Sequence, residues 1–127
     1  MTATKHIQGT LSISKPERMN AGIRDAILRA AVNNGLGLII KEIRLDGSIE
    51  INSYSPAFGG RESATQFIES FTRIFNEKGI DELEMSGSLM LTVTSNVEPV
   101  AFRLTLERGV LAVEEAALTW ERNSTAF

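Results

Sequence analysis

A chain of 127 residues with 43% hydrophobic content is sized for one domain built on a single core. It has no cysteine, which excludes disulfides, zinc–thiolate sites, iron–sulfur clusters and thiol nucleophiles. Thirteen basic against sixteen acidic residues leave a net charge of −3, which gives no general attraction to nucleic acid or membrane and is too small to imitate DNA.

The first residues, through Lys5 and His6, lack the uninterrupted apolar run of a signal peptide, and no stretch is long enough to cross a bilayer. A cytoplasmic protein is the expectation. From His6 to Ser14 the apolar positions Ile7, Leu11 and Ile13, with Gly9 in the same phase, alternate against Gln8, Thr10 and Ser12, the period of a half-buried strand. Lys15-Pro16 ends it. Between about Glu17 and Asn33, Met19, Ile23, Ala26, Ile27 and Ala30 return at helical spacing, and Asn33-Asn34-Gly35 supplies the end. Either Ser14 ahead of Pro16 or Asn20 can open this helix.

Leu36 to Ile51 reads as two strands around Asp46-Gly47. A two-residue turn would set Ile43 against Glu50 and mix the two faces. A three-residue connection of Leu45, Asp46 and Gly47 sets Ile43 against Ile49, with Gly47 taking the positive φ of a type I turn with a bulge. Tyr54 to Glu62, containing Pro56 and Gly59-Gly60, reads as a loop. A helix follows, with Ala64, Phe67, Ile68, Phe71, Ile74 and Phe75 on one face, half of the six phenylalanines of the chain. Ser63 with Gln66 forms a capping box, and Gly79 can cap the other end.

Met85, Gly87, Leu89, Leu91 and Val93 alternate again, followed by a connection from Ser95 to Pro99. Phe102, Leu104 and Leu106 make one face of the next strand. A two-residue Arg108-Gly109 turn then sets Leu106 against Leu111 and Leu104 against Val113. Beyond Val113 the apolar phase slips before Ala116, Leu118 and Trp120, which predicts a bulge at Glu114-Glu115 that keeps both acids outside. Gly9-Thr10-Leu11-Ser12-Ile13 and Gly87-Ser88-Leu89-Met90-Leu91 echo each other, which reads as two strands that each need alternate aliphatics with a glycine where a helix crosses closely, the alternative being an internal duplication. The order β-α-β-β-α-β-β-β predicts a two-layer α+β domain over residues 1–127, a mainly antiparallel six-strand sheet with both helices on one face and a frayed tail from about 122.

The inventory for catalysis is thin, and no catalytic residue, metal or cofactor is expected. His6 is the only histidine, so a multi-histidine metal site is impossible, and it reads as an ordinary strand-edge residue. Glu77, Asp81, Glu82 and Glu84 match no calcium loop and read as a solvated helix end. The best local site precedes the phenylalanine helix, where Gly59, Gly60, Arg61 and Ser63 combine free amides, a helix N-terminus and a guanidinium suited to a carboxylate or phosphate. It lacks both the P-loop ending and the dinucleotide fingerprint. Tyr54 and Phe58 are the candidate aromatics for a protein partner, and Phe58, on a Gly/Pro loop, reads first as an anchor of that loop to the core and otherwise as a partner contact.

Two stretches resemble a set of small uncharacterised proteins of actinobacteria and their phages. One is Gly9 to Ile13 leading through Pro16 into Ile23-Arg24-Asp25. The other is Gly87-Ser88-Leu89 with Phe102-Arg103-Leu104, the Arg108-Gly109 turn and Leu118-Thr119-Trp120. The resemblance implies a phage or mobile-element accessory protein, active in the host cytoplasm, and brings no catalytic residues with it. The leading expectation is a non-enzymatic interaction module that binds or inhibits a host factor or defence complex. The alternatives are a small-anion or nucleotide-binding domain using the 55–63 loop, and a structural component of a virion or other assembly, including a homo-oligomer paired through sheet edges.

Overall fold

The computed structural model describes residues 3–57, 59–94 and 99–116. Its elements are β1 (Ala3–Ser12), α1 (Ala21–Asn33), β2 (Ile40–Ile43), β3 (Ser48–Ala57), α2 (Arg61–Asn76), β4 (Ser86–Thr94), β5 (Val100–Glu107) and β6 (Val110–Glu115), with 3₁₀ turns at Pro16–Arg18 and Asp81–Leu83. The six strands form one antiparallel sheet in the order β2-β3-β1-β4-β5-β6. Both helices pack on one face, as the alternation of the strands requires: Ile7 and Leu11 of β1, Ile49 and Ile51 of β3, Leu89 and Leu91 of β4 and Leu104 and Leu106 of β5 are all buried against them.

The phenylalanine stripe is the centre of this layer. Ala64, Phe67, Phe71, Ile74 and Phe75 are buried, Phe71 being 1% exposed. Phe71 stacks on Phe67 at 5.7 Å between ring centroids and meets Phe75 edge-on at 4.7 Å, arrangements that aromatic quadrupoles favour. The helix starts earlier than its capping box predicts. Gly60 is the N-cap, without a side-chain cap, and Ser63 falls in the first turn as a buried residue. Burial of Ala64 and Phe67 outweighs the local preference of Ser63 for a cap. Gly79 is displaced as well, since α2 ends at Asn76 with Glu77 as its C-cap, and Gly79 takes its positive φ inside the following turn.

At α1 the choice falls on Asn20, whose Oδ1 accepts from the Ile23 amide at 2.9 Å. Pro16 opens only the single 3₁₀ turn. The helix closes with Gly35 N–H bonded to Val32 O and Leu36 N–H to Ala31 O, the paired bonds of a Schellman end.

Both hairpins have the predicted connections. Ile43 pairs with Ile49, Arg44 N–H donates to Ser48 O, and Gly47, at φ +88°, ends the three-residue loop. Leu106 pairs with Leu111 across Arg108 and Gly109, both at positive φ as a type I′ turn demands. The bulge predicted at Glu114-Glu115 is absent. Pairing runs unbroken from Glu107↔Val110 to Phe102↔Glu115, so the two acids take opposite faces and Glu115 lies on the helix side, where Arg61 receives it. Leu118 and Trp120 lie outside the described residues.

The echoed strands are neighbours at the sheet centre, with Gly9 opposite Leu89 and Gly87 opposite Leu11. A Cβ at Gly9 would lie 2.9 Å from Leu89 Cα and closer still to the Ser88 carbonyl oxygen. One at Gly87 would lie 2.9 Å from Leu11 Cα and closer still to the Thr10 carbonyl oxygen. The glycines are therefore required by each other's strand and not, as the sequence suggests, by a crossing helix.

Candidate functional site

The stretch predicted as the 54–62 loop is largely taken up by the end of β3, through Ala57, and the start of α2, from Arg61. Tyr54 to Ala57 pair with His6 to Ala3, which leaves only residues 58–60 between β3 and α2. Pro56 is tolerated because the even-numbered residues of β3 direct their backbone groups toward β2, as Asn52 N–H to Ile39 O shows, and β2 has ended by then. Of the residues predicted to bind an anion, Gly59 is exposed at φ +79°, Gly60 is buried at the N-cap and Ser63 is buried. The Arg61 guanidinium reaches across to β6, with Nη1 donating to Glu115 Oε2 at 3.0 Å and Nη2 to Oε1. That two-pronged bond holds the Glu115 carboxyl below its ordinary range. The cation expected at the loop is thus committed to a carboxylate, and the four residues do not converge on one point with a free charge.

Of the two residues predicted to meet a partner, Phe58 lies outside the described residues. Tyr54 stands on the helix-free face, 70% exposed. Its ring lies flat on His6, with centroids 3.9 Å apart and an interplanar angle of 3°. His6 is in turn held at Nε2, 3.1 Å from Asn52 Oδ1. His6 belongs to an interior strand, not a sheet edge, with Tyr54 opposite it on β3 and Thr92 opposite it on β4. Farther along the same face Gln8, Thr10, Glu50, Asn52 and Ser88 line a shallow polar cleft with Met90, which is 41% exposed.

A second feature lies on the helix side, at the end of β1 and β3 where the aliphatic floor stops. Lys5 shares the phase of Ile7 and Leu11, and Ser53 and Ser55 share the phase of Ile49 and Ile51, so all three polar side chains face the helical layer. Lys5 pairs with Ser55 on one side and Val93 on the other. Its Nζ sits 5.3 Å from the centroid of the Phe67 ring, within cation–π range. A cleft of about 470 Å³ opens here between β3 and the α1–β2 connection, lined by Lys5, Ser53, Ser55, Leu36, Leu38 and Phe67 among others. A second, of about 390 Å³, shares Lys5, Leu36 and Phe67 and extends toward Asn34, Ser63 and Ser70. Desolvation lowers the Lys5 pKa from its usual 10.5, and among the described residues no carboxylate forms an ion pair with it.

Sequence reasoning singles out the loop and passes over Lys5, although the signal is present: carrying the alternation of β1 two residues back from Ile7 puts a lysine in the apolar phase. The acidic group around Glu77 contains no metal site, since among the described residues no three acids or histidines converge. Asp81 instead caps its own turn, accepting from the amides of Gly79 and Glu82. No described helix is long and apolar enough to cross a membrane. No protein-family model matches the chain, and no curated protein or solved structure matches it either.

Proposed function

We propose that the protein is a non-catalytic interaction module that recognises another protein through the helix-free face of its sheet, with Tyr54 as the anchor. The observation that carries this is the His6–Tyr54 stack. A tyrosine with 70% of its surface open to solvent is held rigid by a flat contact at 3.9 Å, so little side-chain entropy is lost when a partner covers it. Rigid exposed tyrosines set in a polar surround are the usual composition of binding hot spots. The thin inventory for catalysis supports the same reading: one histidine, hydrogen-bonded to an amide.

The partner we infer is a host factor or a component of a host defence complex, a reading that rests on the resemblance of the strand patterns to small actinobacterial and phage proteins. The experiment is affinity capture from an actinobacterial lysate with the natural chain, Tyr54→Ala and His6→Ala, followed by titration of the recovered protein. Tyr54→Ala should lower affinity by at least about 30-fold, the effect of a hot spot worth 2 kcal/mol, and His6→Ala by less. A partner recovered equally by all three chains, or substrate turnover by the natural chain, overturns the proposal.

A second reading, self-assembly through a sheet edge, has one observation in its favour. β6 ends the described sheet and exposes Val110 at 71% and Val113 at 43%. A monomer at every concentration in sedimentation equilibrium would remove it.

A further inference from the structure

We propose that the cleft over Lys5 is a binding site for a small organic anion, a carboxylate or phosphate head on an apolar body. This inference is independent of the helix-free face and of any protein partner. A lysine drawn into the apolar layer normally keeps its charge by finding a carboxylate. Lys5 is within that layer, by its phase on β1 and by its place over Phe67, yet no ion pair is made to it among the described residues. The floor beside it changes from Ile49 and Ile51 to Ser53 and Ser55 in the same phase of β3. Two hydroxyl-bearing residues thus line the same cleft as Lys5, where a core strand would continue with aliphatics.

The volume and walls define the rest of the ligand. About 470 Å³ is the size of small-molecule sites, and Phe67, Leu36 and Ile7 provide apolar walls against which a ring or branched chain can lie while its charged end meets Lys5. Partial burial of Lys5, which lowers its pKa, strengthens what an anion gains by pairing with it relative to open water. An added β-strand is a poorer occupant. Pro56 removes one of the amides that the open side of β3 would need to bond it.

Reductive ¹³C-methylation of the intact protein gives a separate NMR signal for each of its four lysines, Lys5, Lys15, Lys41 and Lys78. Benzoate, phenyl phosphate and the neutral benzamide are titrated in turn. The expected result is saturable movement of the Lys5 signal with benzoate, phenyl phosphate or both, at least about tenfold weaker binding of benzamide, and still signals from the other three lysines. The ratio of the two anions tells a carboxylate site from a phosphate site. Lys5→Met should abolish saturation in calorimetry, while Lys41→Met, a change at an exposed residue of β2, leaves it intact. Equal binding of benzamide, parallel movement of all four lysines or no saturation with either anion overturns the proposal, and since the methylated chain is otherwise natural, a Lys5→Met chain that fails to fold does not rescue it.

Discussion

The two ends of the helix-covered sheet face are built to opposite rules. Around Leu11, Ile49, Leu89 and Phe71 every side chain is aliphatic or aromatic and almost wholly buried. Around Lys5, Ser53 and Ser55 the strands and their phase are the same, but these three polar residues interrupt the apolar floor and the layer opens into a cleft. The backbone does not distinguish the two ends. Packing closes one and leaves the other for chemistry, so stability and recognition can be altered separately within one layer.

The largest expected effect tests the closed end. Phe71→Ala should cost about 3–5 kcal/mol in urea denaturation, since it removes a side chain that touches both Phe67 and Phe75. Gly87→Ala comes next, at about 1–3 kcal/mol or more, because its methyl would overlap the Thr10 carbonyl and Leu11. A loss below a few tenths of a kcal/mol in the same assay would show that β1 and β4 do not approach as described. At the open end the sign reverses. Lys5→Met should stabilise the fold modestly, raising the melting temperature at neutral pH, because a desolvated charge is replaced by an apolar chain of similar length.

The same contrast has a pH signature. With its pKa lowered in the fold, Lys5 gives up its proton there before it does in the unfolded chain, so stability should rise as pH climbs through the folded value toward 10.5 and level off above it. Lys5→Met should flatten that rise in alkaline thermal melts. The smallest effect belongs to Arg61 and Glu115, both exposed. Glu115→Gln should leave denaturation nearly unchanged at neutral pH. What the natural pair contributes should fade as pH falls through the depressed carboxyl value, and should be weakened by salt.

Much of this architecture is legible in the residues. Side-chain parity alone distinguishes the three-residue loop at Asp46 from the two-residue turn at Arg108, because one wrong step would invert a whole strand. Strand order is not legible, since β1 meets β3 and β4 from far along the chain and the alternation of a strand does not name its neighbours. Pro56 and the paired glycines suggest a loop where β3 in fact continues, because a proline's meaning depends on which side of the strand is bonded. The candidate cleft is half legible: the phase of Lys5 can be read, but its lack of a carboxylate partner depends on what α1, α2 and β3 place around it.

The mutual fit of Gly9 and Gly87 bears on the order in which the molecule assembles. β1 precedes the other five strands of the sheet, yet its place is between β3 and β4, and the Gly9↔Leu89 pairing closes a span of 80 residues. The middle of the sheet is therefore completed only after most of the chain exists, and folding should run in milliseconds to seconds, with the helices and the two hairpins forming ahead of it. In stopped-flow refolding, Gly87→Ala should slow the final phase if the β1–β4 seam is part of the barrier, and mainly hasten unfolding if that seam closes afterwards.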